Sequence, residues 1–231
     1  MDTNRGAKRA REARAALGLD PGAPLECLLS VVEERFPVVV AALPDAVAGA
    51  CCWSVLWVNG NQIARRQRFT LAHEFGHAWI GHDGALEPDT LETLYGRPTN
   101  PYEIQANAFA AEFLVPRAGI AERVRGEPTL EDVVRIGAEY GVSAPVVVIR
   151  LKQLRLASPE RLARLSREID ERLHSQLFEH LGLSRVDDGL ARIDALPYLS
   201  PQLSGTLLAA ALHGDAAVSR ELAGALGRLL S

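Results

Sequence analysis

The chain has 231 residues, 48% hydrophobic and 23% charged, with a formal net charge of -4. That balance excludes wholesale disorder, which needs low hydrophobicity and high net charge, and it excludes collagen-like and disulfide-scaffold compositions. An isoelectric point near 5.9 gives no global pull toward nucleic acid. Three cysteines, Cys27, Cys51 and Cys52, do not build a disulfide framework, so a reducing compartment is expected. The basic N-terminus lacks the apolar stretch of a signal peptide, and no segment reaches the ~18–20 apolar residues of a membrane span. The expectation is a cytoplasmic protein with no membrane partner.

In chain order, residues 4–17 place Arg and Lys among Ala at helical spacing and read as an exposed helix closed by Gly18. Pro24–Glu34 reads as a second helix, with Leu25, Leu28, Leu29 and Val32 on one face. Val38–Ala41 is a short apolar run that reads as a strand, and Cys51–Val58 is a second one, rich in strand formers. Asn59-Gly60-Asn61 has the composition of a hairpin turn, which predicts a partner strand over Gln62–Arg68. Helical periodicity then runs from Phe69 to Ile80. Residues 83–100 are turn-rich and read as a loop with a short helix near 89–95. Asn100 and Pro101 are an N-cap and first helical residue for a helix reaching about Leu114. Thr129 and Asp132 open another helix that Gly141 ends, and Ser143 caps the next, Ala144 to about Leu154. A long amphipathic helix is expected from Ser158-Pro159 to about Leu181, then two more near 201–212 and 216–230.

The strongest chemical signal is His73-Glu74-Phe75-Gly76-His77. Histidines four apart share one helical face, so both imidazoles can grip one Zn²⁺. Glu74 is offset around the same helix and suits a general base acting on water. Phe69, Leu71, Ala72, Phe75, Ala78, Trp79 and Ile80 make the segment apolar over most of its circumference. Such a helix is buried, and buried polar groups need partners, which a metal supplies. Gly76 costs about 1 kcal/mol relative to Ala in a helix interior and is best explained by close approach of another element.

A catalytic zinc needs a third protein ligand and an open position. No cysteine follows His77, and His82 is rotated away from the ligand face. Glu103, on the next helix, is the best third ligand; the rival reading is a capping-box glutamate three residues after Asn100. Glu112 is the fallback, on a face that reads as more exposed. Ala106 and Ala110 would let this helix press close, and Asn107 could orient a ligand histidine. Tyr95, Tyr102 and His82 are candidate oxyanion donors.

Residues 68–77 (Arg-Phe-Thr-Leu-Ala-His-Glu-Phe-Gly-His) and 103–116 (Glu-x-x-Ala-Asn-x-Phe-Ala-Ala-x-Phe-Leu-x-Pro) resemble the ImmA/IrrE family of zinc metallopeptidases, over roughly residues 25–157. The resemblance implies an α+β fold: a compact HExxH peptidase core with a small antiparallel sheet packed on helices. It implies His73, His77 and Glu103 as Zn²⁺ ligands and Glu74 as catalytic base. It also implies a protein substrate, commonly a helix-turn-helix repressor in stress response or mobile-element control. Gln105 departs from the pattern, since many relatives carry a second acidic residue there. The expected organisation is a metallopeptidase domain over 1–157, including a helix-turn-helix-like subdomain at about 117–157, and an all-helical region over 158–231.

The competing reading is a DNA- or protein-binding regulator with a structural or vestigial zinc site. A DNA reader wants basic or amide side chains on its second helix. Here that helix offers Val146, Val147, Val148, Ile149 and Leu151, so core packing is expected and direct nucleic-acid binding is disfavoured. The basic N-terminal helix reads as a solvated face. The Trp53–Val58 strand reads either as an acceptor for an extended substrate or as a plain sheet strand. Cys51 and Cys52 read as ordinary buried cysteines, with redox control the alternative.

Overall fold

A computed structural model describes residues 2–52, 55–82, 99–186, 189–190 and 198–200. The expected loop at 83–98 with its short helix, Trp53, Tyr95 and the expected helices at 201–212 and 216–230 lie outside the described residues. The architecture is α+β: a small four-stranded sheet packs on helices. The chain runs α1 (Asp2–Ala16), α2 (Leu28–Glu33), β1 (Val38–Ala41), β2 (Gly49–Cys52), β3 (Val55–Asn59), α3 (Ala64–Ile80), α4 (Pro101–Leu114), α5 (Arg117–Arg123), α6 (Leu130–Tyr140), α7 (Ala144–Leu154), α8 (Pro159–Asp170), α9 (Leu173–His180) and β4 (Tyr198–Leu199).

The strand order is β2-β3-β1-β4, and the sheet is mixed, not purely antiparallel. β1 and β3 pair in parallel, Val38 opposite Leu56 and Val40 opposite Val58. β2 is antiparallel to β3, with Gly49 opposite Val58, and β4 is antiparallel to β1. The run expected as one strand over Cys51–Val58 is therefore two strands, β2 and β3. No hairpin forms at Asn59. Its side chain instead holds the preceding loop, accepting from the Leu43 N–H (3.2 Å) and donating to the Val47 carbonyl (2.7 Å). Residues expected as a partner strand belong to the first turns of α3. Their polar side chains point inward, not outward, and satisfy carbonyls. Gln67 donates to Gln62 O (2.6 Å), Arg65 to Val142 O (2.6 Å) and Arg68 to Leu25 O (2.9 Å). Buried arginines bonded in this way carry no hydrophobic periodicity, so the pattern hides the helix start.

The core centres on Phe75 of α3. Its ring meets Phe109 and Phe113 of α4 at centroid distances of 5.5 and 5.2 Å, and Phe36 at 5.9 Å. Gly76 is what lets these helices close: a Cβ there would lie 3.0 Å from the Phe109 ring.

α1 is solvated on its basic face only, that of Arg5, Lys8 and Arg11. Gly6, Ala10, Ala13 and Arg14 are buried, and a Cβ on Gly6 would sit 2.1 Å from the Gln105 carbonyl oxygen of α4. Arg14 crosses the interface to donate to Phe113 O (2.6 Å) and Ala23 O (2.6 Å). The alanines between the arginines are the contact face, because small residues allow backbones to approach.

Glu112 also differs from expectation. It is 2% exposed, paired with Arg150 of α7 and, at 3.4 Å, with Arg11 of α1. Arg150 donates in addition to Val115 O at 2.8 Å. The carboxylate is spent on joining three helices, which removes it as a fallback metal ligand.

Thr129 and Asp132 form the expected capping box, and Gly141 ends α6 in the left-handed conformation. Ser143 stands at the N-cap of α7 without a side-chain cap bond. The amphipathic run after Ser158 is broken: Arg172, at φ 59°, separates α8 from α9. The region expected to be all-helical also returns a strand to the sheet, since β4 pairs with β1 and Ser200 N–H donates to Val38 O (3.0 Å). Among the described residues no helix is long and apolar enough to cross a membrane.

Candidate metal centre

α3 and α4 bring three side chains to one point. One helical turn separates His73 from His77, and their Nε2 atoms are 2.9 Å apart. The Glu103 carboxylate, from the first turn of α4, reaches both: 3.2 Å to His73 Nε2 and 3.5 Å to His77 Nε2. One ligand atom from each of the three residues lies within 4.8 Å of the other two, and all three residues are buried. Asn100 caps α4 by accepting from the Tyr102 N–H at 2.9 Å. Glu103 itself turns toward the imidazoles.

This donor set fits a divalent ion. A tetrahedral zinc with bonds of about 2.0–2.1 Å holds its ligands roughly 3.3–3.4 Å apart. The observed separations of 2.9, 3.2 and 3.5 Å straddle that value. Two imidazole nitrogens and one carboxylate are also the chemistry a first-row ion selects. Burial pushes the Glu103 carboxyl up, but hydrogen bonds and charge from His73 and His77 outweigh it and hold the group well below the usual carboxylate range. The side chain is thus kept as an anion where a cation would sit.

The outer nitrogen of each histidine is also engaged. His73 Nδ1 lies 3.0 Å from Asn107 Oδ1, so the expected orienting role of Asn107 has the geometry it needs. His77 Nδ1 lies 3.0 Å from His82 Nδ1, on the side of the ring away from Glu103. His82 stands outside the ligand cluster. Burial, and then its neighbour His77, push the His82 imidazole down to about 4. Tyr102 is half exposed, and its ring lies 4.7 Å from that of His82. Gln105 donates to Asp2 of α1 at 3.3 Å, and its side chain also hydrogen-bonds His82, which partly offsets the downward push on that imidazole.

Glu74 is 1% exposed and lies under β2. A Cβ on Gly49 would stand 2.7 Å from Glu74 Oε1 and 2.5 Å from Thr70 Cγ2. Gly49 is therefore the residue missed by reading the strand from Cys51 onward. Its signal was a glycine at the edge of a strand-forming run, a mark of close approach. β3 is interior, paired on both sides, so it offers no edge to a substrate. Among the described strands, β2 closes the order on the side of Glu74.

A family profile described as the IrrE N-terminal-like domain (Peptidase M78) matches residues 33–152, just over half of the chain. The chain is 34% identical over 102 residues to the radiation response metalloprotease IrrE of Deinococcus radiodurans, covering 43% of this chain and 31% of that protein. It is 35% identical over 77 residues to the uncharacterized immunity region protein 2 of Bacillus phage phi105, covering 33% of this chain and 47% of that one. The chain thus aligns with less than half the length of each relative. With both helices of the histidine–glutamate cluster inside the matched stretch, the chain belongs to the IrrE N-terminal-like family.

Proposed function

We propose that this protein is a zinc-dependent endopeptidase that hydrolyses a peptide bond in a regulatory protein. The observation that carries this reading is the convergence of His73, His77 and Glu103, with Glu74 buried on the same helix as the two histidines under β2, an edge strand among the described strands. His73, His77 and Glu103 would hold Zn²⁺. When bound, the ion supplies Lewis-acid polarisation of a carbonyl and acidifies water. Glu74 takes the proton from the attacking water and later passes it to the leaving amine. Asn107 holds the His73 ring through Nδ1, and Gly49 leaves the space in which the Glu74 carboxylate sits. An extended peptide laid along β2 would run past Glu74, with main-chain hydrogen bonds giving affinity.

The proposed substrate class is supported by the relatives in sequence: a metalloprotease named for the radiation response and a phage immunity-region protein. Both fit proteolysis of a transcriptional regulator, and a helix-turn-helix repressor is the substrate we propose. Direct DNA binding has little support. On α7 the outward residues are Pro145, Ile149, Lys152 and Gln153, while Val146, Val147 and Val148 are buried.

The test is incubation of the zinc-loaded protein with helix-turn-helix repressors encoded beside its gene, read by mass spectrometry of fragments. Cleavage of one of them is expected. Glu74→Gln should keep zinc and lose cleavage by about 10²-fold or more. Undiminished cleavage by that variant would refute the assignment of the base, and intact repressors would refute the substrate class.

A further inference from the structure

α3 ends in a way that returns the chain onto its own metal-site histidine. Gly81 adopts φ 79° and ψ 47°, the left-handed conformation that closes many helices. The next residue, His82, then donates its N–H back to the His77 carbonyl at 3.1 Å. This six-to-one bond belongs to a Schellman-type cap, and it brings the side chain of the residue after the glycine against the last full turn. Here that side chain is an imidazole. The His82 ring meets the His77 ring edge to face, with centroids 5.0 Å apart and planes at 72°. The two Nδ1 atoms are 3.0 Å apart.

Two facing ring nitrogens at that distance share one proton between them: one donates and the other accepts. Which way it runs follows from the other end of His77. Its Nε2 faces the His73 Nε2 and the Glu103 carboxylate, so a lone pair is needed there for a metal. The His77 proton must then sit on Nδ1, and His82 Nδ1 must accept it. The proton of His82 is left on Nε2. Metal-bound histidines usually give their second N–H to a carboxylate, a backbone carbonyl or water. In this chain His73 uses the Asn107 carboxamide and His77 uses a third histidine.

We infer that His82 is a positioning residue, held by the Gly81 cap, that accepts the His77 Nδ1–H and so presents His77 Nε2 to the metal. Tyr102, from the helix that carries Glu103, also packs on the His82 ring, with centroids 4.7 Å apart. His82 thus touches both helices that build the site. This inference rests on reading His77 as a metal ligand.

Two measurements test it, and its failure is distinguishable from failure of that reading. The first is long-range ¹H–¹⁵N correlation of the imidazoles in the Zn²⁺-loaded full-length protein. The expected result is the Nδ1–H tautomer for His77 and the Nε2–H tautomer for His82. His82 in the Nδ1–H form would overturn the inference. The second is Zn²⁺ affinity measured by competition with a chromophoric chelator. His82→Ala should weaken binding by about 10–100-fold, the cost typical of removing such a partner. His82→Asn, whose amide oxygen can stand near the place of Nδ1, should recover part of that loss. Equal affinity in wild type and His82→Ala would overturn the inference. Should the alanine variant fail to fold, the asparagine variant and the wild-type tautomers still decide it. Wild type that binds no Zn²⁺ would instead sink the metal reading on which the inference rests.

Discussion

Glu74 and Gly49 illustrate how a side chain's absence sets a neighbour's position. The Glu74 carboxylate occupies the volume that a methyl group on Gly49 would fill, 2.7 Å from Oε1. Gly49→Ala must displace either the carboxylate or the strand. Overpacking of this kind costs about 1–3 kcal/mol. Because none of the three metal-site residues borders Gly49 among its nearest atoms, zinc affinity should stay near wild type while turnover falls. Chelator competition and single-turnover cleavage, run on the same preparation, separate the two effects. Unchanged turnover would show that Glu74 finds an equally good position elsewhere. Glu112 makes the opposite case, a side chain whose presence is the point. It is a buried anion between Arg150 and Arg11. Removing one partner from a buried ion pair costs about 3–5 kcal/mol, since the remaining charge is left without compensation. Glu112→Ala should therefore shift the urea midpoint strongly yet bind zinc with unchanged stoichiometry. Lost stoichiometry in the folded variant would restore Glu112 as a ligand.

At the scale of elements, legibility divides by the kind of signal each segment carried. α4 and α6 were readable because their boundaries are local chemistry: Asn100 before Pro101, Thr129 with Asp132, and Gly141 in the left-handed region. The pairing of His73 with His77 is legible for the same reason, since a spacing of four is a property of one helix. Glu103 was harder, because its partner lies on another helix and a capping role competed for the same position. In α1 the basic face of Arg5, Lys8 and Arg11 is solvated as its composition says, while Gly6, Ala10 and Ala13 form a buried face against α4 that composition does not show. Small-residue contacts leave almost no hydropathy signal. The α3 start was misread because Arg65, Gln67 and Arg68 face inward onto carbonyls. Glu112 was placed on an exposed face because its two cations come from helices far along the chain. In each miss the deciding partner was tertiary, and no window of local sequence contains it.

At the scale of the whole molecule, the N-terminal segment, α5 and α6 meet around the Tyr140 hydroxyl. The Tyr140 hydroxyl of α6 donates to Gly22 O at 2.8 Å, and Tyr140 is 1% exposed. Gly119 of α5 lies directly against this bond; a Cβ there would be 2.1 Å from both oxygens. The contact joins the segment after α1 to α6, so it couples parts that are distant in sequence. Burial pushes the Tyr140 phenol up to about 12. A phenol whose folded pKa lies above its unfolded value near 10 favours the protonated form in the native state. Its contribution to stability is therefore complete below about pH 10 and is lost as pH rises toward 12, because the unfolded chain releases the proton first. Tyr198, bonded to Glu33 across the sheet edge, is likewise raised to about 12, by burial first, and acts in the same direction. Urea denaturation at pH 8, 10 and 11.5 should show stability falling over the upper interval. Tyr140→Phe should be less stable at pH 8, where the hydrogen bond is lost, yet lose less on going to pH 11.5. A variant whose stability fell as steeply as wild type over that interval would place the alkaline transition elsewhere in the fold.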